Sequence, residues 1–164
     1  MKFHLVDRIE SIAPGERIVT VKALSLAEEY LADHFPTFPV LPGVMMIESM
    51  VQAAAWLVRV QQEFSRSVIV LTRARNVKYA RFVQPGDLLR CELTAVEIGE
   101  DSARFKGAGF VGDRQAVGGR LDLRCFNLAG RVAGGAAADE SILTQLKERF
   151  ELVGGPEALA AAER

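Results

Sequence analysis

The sequence predicts an α+β fold in which an antiparallel sheet wraps a single buried helix. Three observations carry that expectation. Val44 to Val60 reads VMMIESMVQAAAWLVRV, apolar nearly all round, as a helix buried on every side must be. Short β-rich runs lie before and after it, separated by Pro-Gly, Gly-Asp and other turn signals. At 164 residues and 49% hydrophobic content, the chain is long enough to build one well-cored domain.

Each element follows in order. Residues 5–12 and 16–24 are predicted strands, joined into a hairpin by Pro14-Gly15. Residues 26–32 form a short irregular or helical piece. Pro36, Pro39 and Pro42 fix their own φ angles and push each preceding residue toward extended geometry, so His34 to Leu41 is expected to be stiff and non-helical. The long helix is expected over about residues 42–64, with Pro42 as its first helical residue because the missing N–H is unpaired there anyway. Strands are predicted over 67–80, 88–98, 102–112 and 115–127, with turns at Pro85-Gly86-Asp87, Gly99 to Asp101 and Gly112-Asp113. After Asn127 the composition shifts. Gly130 to Ala138 reads as a small-residue linker, and Asp139 as the cap of a helix carrying an Ile142, Leu146, Phe150 stripe. Gly154, Gly155 and Pro156 are expected to end that helix, leaving a mobile tail. The domain reading is therefore 1–129 for the core and 130–164 for a linker, helix and tail.

Chemistry concentrates in residues 34–52, HFPTFPVLPGVMMIESMVQ. His34 stands in the stiff loop as a candidate base. Gly43 opens the helix, where the first N–H groups have no internal partner, and glycine admits a ligand close to the backbone. Such an N–H suits a carbonyl oxygen that gains charge during reaction. Glu48 is a carboxyl group set among apolar residues, an environment that favours the protonated form a general acid needs near neutral pH. Gln52 follows four residues later on the same face, where its amide can orient the carboxyl group. Together these residue types suit proton removal beside a carbonyl with loss of a neighbouring hydroxyl as water. Met45, Met46 and Met50 read as core filler, and His4 is assigned no chemistry.

Composition excludes other classes. Twenty basic against twenty-one acidic residues create no field suited to nucleic acid. The apolar helix is shorter than a membrane span and carries Glu48 and Gln52, so it reads as core. No charged-then-apolar leader opens MKFHLVDRIE, which makes the cytoplasm the expected location. Cys91 and Cys125 stand in separate strand-like segments and read as buried reduced thiols. No metal-ligand cluster or phosphate-binding glycine loop is evident, and no cofactor is expected.

The spacing H-F-P-x(2)-P-V-x-P-G-V-x(3)-E-x(3)-Q resembles the 3-hydroxyacyl-[acyl carrier protein] dehydratases of the FabZ type, which have a hotdog fold. LVDRIESIAPGERIVTVKALS (residues 5–25) and VKYARFVQPGD (residues 77–87) resemble that family's opening hairpin and its later strand and turn, so the likeness covers roughly residues 3–127. The resemblance implies His34 as the catalytic histidine, Glu48 as the catalytic acid, Val40 as the carbonyl that orients the histidine, and Gly43 as the amide that polarises the thioester. It also implies an acyl carrier protein as partner and a homodimer whose sites take histidine and acid from different subunits, with trimers of dimers as a higher assembly. Asp33 and Thr37 depart from the family's usual Gly-His-Phe-Pro-Gly, and with an amino terminus shorter than usual, part of the customary tunnel lining is expected to be missing. Arg73, Arg75, Lys78 and Arg81 form a basic cluster suited to an acidic carrier, or equally to a charged strand edge. Three alternatives stay open at this level: a dehydratase of a specialised polyene or polyketide pathway, a hotdog thioesterase, and a non-catalytic acyl- or partner-binding subunit.

Overall fold

The computed structural model describes residues 3–35 and 37–162; Pro36, one of the three loop prolines, lies outside the described residues. Strands β1 (Arg8–Ala13) and β2 (Arg17–Ala23) form the opening hairpin. A short helix α1 (Tyr30–Asp33) leads into the proline loop, and α2 (Gly43–Gln61) follows it. Then come β3 (Val68–Tyr79), β4 (Leu88–Ile98), β5 (Ser102–Val111) and β6 (Arg114–Phe126), and finally helices α3 (Gly135–Leu152) and α4 (Gly155–Ala162). The six strands make one antiparallel sheet in the order β1-β2-β4-β5-β6-β3.

The sheet wraps α2, as the sequence predicts. Strand alternation turns Leu89, Cys91 and Leu93 of β4, Phe105 of β5, and Leu121, Leu123 and Cys125 of β6 inward, all at most 2% exposed. They meet Met50, Ala53, Ala54 and Leu57 of α2, each 0% exposed. Small alanines on the helix let its axis approach the sheet closely, and this burial supplies the main stabilising term of the fold. By length and composition α2 is apolar enough to cross a membrane, yet 61% of that window is buried here as core. Both cysteines are free and buried, and desolvation pushes the Cys91 thiol up to about 12.

Four boundaries differ from the sequence expectation. Pro42 has φ −54° and ψ 139°, so it is the residue before α2 rather than its first turn. That shift makes Gly43 the first helical residue. The helix stops at Gln61 because Glu63 and Phe64 adopt left-handed φ values of 51° and 57°. Asp139 does not cap α3: the helix begins at Gly135, and its cap is Gly134, whose φ of 72° suits a residue without a Cβ. Gly155 and Pro156 do not lead into a loose tail either; they open α4, where proline is tolerated in a first turn.

The buried Asp139 carboxylate instead ties three segments together. It accepts hydrogen bonds from the backbone N–H groups of Leu128 (2.9 Å) and Ala129 (2.8 Å) and from the Ser67 hydroxyl at the head of β3. Burial pushes this carboxyl group up, but the three donors outweigh it and hold the group below its usual range. Phe150 of α3, 6% exposed, seats its ring against Trp56 and Phe64, both at 5.6 Å between centroids. The two sheet edges are treated differently. Val153 and Ala158 are buried beside β1, where the Ile9 N–H donates to the Val153 carbonyl at 2.8 Å, whereas the 12-residue β3 edge stays open and mostly exposed.

Candidate active site

His34 follows the last residue of α1, with extended φ −118° and ψ 102°. The chain then turns sharply: Phe35 has φ 51°, and the Phe38 N–H donates to the Phe35 carbonyl at 2.8 Å. The His34 and Phe35 rings lie 4.5 Å apart. Val40 and Leu41 plunge into the core at 2% and 1% exposure, and the Leu41 N–H donates to the Val83 carbonyl at 2.8 Å. The loop is thus pinned by apolar burial at one end and by α1 at the other, which fixes the height at which the imidazole stands above α2.

At the start of α2 the N–H groups of Met45 and Met46 return to the Pro42 carbonyl at 2.9 and 3.2 Å. The Gly43 and Val44 N–H groups remain at the open end of the helix, where the helix field favours negative charge. A Cβ on Gly43 would sit 2.9 Å from Tyr79 Cε1, so the bare backbone lets the Tyr79 ring pack against Gly43. His34, Val40, Gly43 and Tyr79 all line a cavity of about 430 Å3, together with Arg81 and Phe82. Among the described residues the imidazole makes no hydrogen bond to the Val40 carbonyl and no ion pair with Asp33, which is exposed at the end of α1. Thr37 is also exposed and takes no left-handed φ; the strained backbone falls on Phe35 instead.

Glu48 lies in a different cavity of about 350 Å3, on the flank of α2. The Gln52 side-chain amide donates to Glu48 Oε1 at 2.9 Å and to the Phe3 carbonyl at 3.0 Å, and its oxygen accepts from the Leu5 N–H at 2.9 Å. Gln52 therefore clamps the amino-terminal segment and aims the carboxyl group with the same side chain. The far wall comes from α3, through Ile142, Gln145, Leu146 and Arg149. Within one chain, then, histidine and glutamate do not share a cavity.

Comparisons with known proteins bear on this arrangement. Residues 1–119 match the FabA-like domain. The chain belongs to the FabA-like domain family. It is 34% identical over 119 residues to the 3-hydroxyacyl-[acyl-carrier-protein] dehydratase FabZ of Clostridium kluyveri, covering 73% of this chain and 83% of that one. It is 38% identical over 111 residues to the FabZ of Symbiobacterium thermophilum, covering 68% and 78%. Among solved structures it resembles the dehydratase heterocomplex ApeI:P from Xenorhabdus doucetiae, with a TM-score of 0.64 at 20% identity over 76% of this chain and 84% of that one. That likeness establishes the hotdog fold. The FabA-like match ends inside β6, so α3 and α4 lie beyond it.

The basic cluster is dispersed. Arg75 pairs with Asp122 at 2.8 Å, Lys78 sits on the outer face of the sheet past a bulge between Arg75 and Lys78, and Arg81 lines the His34 cavity. Two contributors escaped the sequence reading. Tyr79 reaches Gly43 only through the fold, so no local pattern announces it. Arg59 carried a usable signal: it continues the Glu48, Gln52 face of α2 by helical spacing and lines the same cavity.

Proposed function

We propose that this protein dehydrates 3-hydroxyacyl thioesters on an acyl carrier protein to trans-2-enoyl thioesters, in the cytoplasm and in fatty acid biosynthesis. The single observation that carries the reading is the cavity that His34 and Gly43 line together at the start of α2. Homology to FabZ dehydratases at 34–38% identity supports the same reaction class.

The thioester oxygen accepts from the Gly43 N–H, which stabilises the charge that develops there. His34 removes a proton from C2, and the released electron pair forms the C2–C3 double bond. The C3–O bond breaks, and the departing hydroxyl takes the proton of Glu48 and leaves as water. Gln52 holds the carboxyl group in its donating orientation, and the Val40 carbonyl steadies the histidine once substrate is bound. No metal or other cofactor enters these steps.

Because His34 and Glu48 line separate cavities of one chain, the working site is formed by two subunits, each lending one group. The open β3 edge supports this, since the side of that 12-residue strand facing away from β6 invites a second copy to extend the sheet. A trimer of such dimers is the expected higher assembly. Arg81, at the rim of the His34 cavity, and the more distant Arg73, Arg75 and Lys78 attract the acidic carrier.

The test is to incubate the protein with 3-hydroxyacyl carrier thioesters while following enoyl formation and free thiol release together. Enoyl product from wild type, with a loss of about 1,000-fold in His34→Ala, is the expected result. Thiol release without enoyl product would show a thioesterase instead.

A further inference from the structure

The Glu48 cavity ends in positive charge that no ion pair among the described residues balances. Arg59 projects from α2 into it, and Arg149 from the last turn of α3 lines the same wall. The Arg59 Nε is fully buried and has no hydrogen-bond partner. Its guanidinium lies 5.4 Å from the Trp56 ring centroid, a cation–π contact that gives Nε no hydrogen-bond acceptor. Desolvation lowers the group to about 10, with only Cys125 acting in the other direction. The lone carboxyl group lining the cavity is Glu48, at the other end. Between the two ends the lining is mainly apolar, through Val51, Ala55, Trp56, Ile69, Ile142 and Leu146, with Gln52 and Gln145 as polar interruptions. Along α2 the rise from Glu48 to Arg59 is about 16 Å, the span of a medium-length acyl chain.

We propose that this cavity accepts an acyl chain whose far end carries a carboxylate, held by Arg59 and Arg149. The proposal rests on the dehydratase reading and names its substrate class. A methyl-ended chain filling the same space would cover the rest of the half-buried guanidinium with hydrocarbon while its Nε stays unpaired, which is a costly arrangement. A carboxylate turns that cost into charge-assisted hydrogen bonds, for which the planar guanidinium is well shaped. Arg59 lies within the FabA-like match, whereas the wall that carries Arg149 lies beyond it, so that half of the recognition belongs to α3.

Isothermal titration of the full-length protein with non-reactive pantetheine amides tests this without requiring turnover. The decanedioic acid monoamide is expected to bind about tenfold tighter than the decanoic amide. Arg149→Gln and, separately, Arg59→Met are each expected to level the two affinities. Equal affinities in wild type, or binding of neither amide, would overturn the proposal. So would a gain that comes from adding a phosphate to the pantetheine end of the decanoic amide and vanishes in both variants, because the arginines would then hold the carrier arm. Assay of methyl-ended 3-hydroxyacyl thioesters separates the two readings. Their dehydration without any carboxylate preference sinks this inference alone; a carboxylate preference in binding without dehydration of either substrate type sinks the proposed reaction alone.

Discussion

The two cavities flanking α2 are built on opposite plans. The His34 cavity sits at the helix start, is framed by the proline loop and the end of β3, and presents a backbone amide beside an imidazole. The Glu48 cavity runs along the helix flank, is closed by the amino-terminal segment and by α3, and presents a carboxyl group at one end and guanidinium groups at the other. One joins the proline loop and helix start to the end of β3; the other is closed by segments near both termini. The difference teaches that His34 and Glu48 are held by separate walls of one chain; in the proposed reaction, the group that takes a proton and the group that gives one would then come from two copies.

The largest effects should come from separating the two halves. His34→Ala and Glu48→Gln are each expected to lower turnover about 1,000-fold with little change in stability. Unfolding and refolding the two inactive variants as a mixture should restore about a quarter of wild-type activity, because half of the dimers are mixed and each carries one intact site. Failure to regain activity would break the comparison, since both groups would then have to act within one subunit.

The α3 wall can be loosened next. Phe150→Ala removes a ring that is 6% exposed and packed on Trp56 and Phe64, and should destabilise the protein by about 3 kcal/mol in chemical denaturation. An unchanged midpoint would mean that α3 is held by something other than this contact.

Gln52→Ala addresses the hinge between the amino terminus and the acid. It leaves the Leu5 N–H and Phe3 carbonyl without their partner and releases Glu48. The expected cost is about 1–2 kcal/mol of stability, together with a drop in kcat that exceeds any change in KM. Equal loss in both kinetic parameters would assign Gln52 to packing alone.

The smallest effect is a pH signature of the joint beneath α3. The Asp139 carboxyl group is held below its usual range, so its contribution is complete above its unfolded-state value of about 3.9 and disappears as pH falls through that value toward the lower folded one. Asp139→Asn should therefore lower Tm at neutral pH, and the gap from wild type should narrow below about pH 4. A gap of constant size would show that charge plays no part there.

Much of the fold was legible because its signals are local. An all-apolar run, two-residue alternation and glycine or proline punctuation place α2 and all six strands near their observed bounds. The candidate residues are near one another in the chain: His34, Gly43, Glu48 and Gln52 fall within one loop and the first turns of one helix, and spacing places Glu48 and Gln52 on one face, as the hydrogen bond between them shows. Asp139 was misread because an acidic residue before an apolar stripe has the composition of a cap, while its real partners, Ser67 and the Leu128 and Ala129 amides, come from other segments. The end of α2 escaped for a different reason, since Glu63 and Phe64 are not residue types that announce left-handed backbone.

By itself, the sequence determined that one apolar helix lies inside a sheet and that a histidine, a glycine amide and a carboxyl group accompany its first turns, because periodicity and backbone restriction act over neighbouring residues. Only tertiary structure decided that the histidine and the carboxyl group open into separate cavities, that Tyr79 covers Gly43, and that α3 seals the acid's cavity beside Arg59. Those outcomes depend on contacts between residues far apart in the chain, and such contacts leave no period or spacing to read.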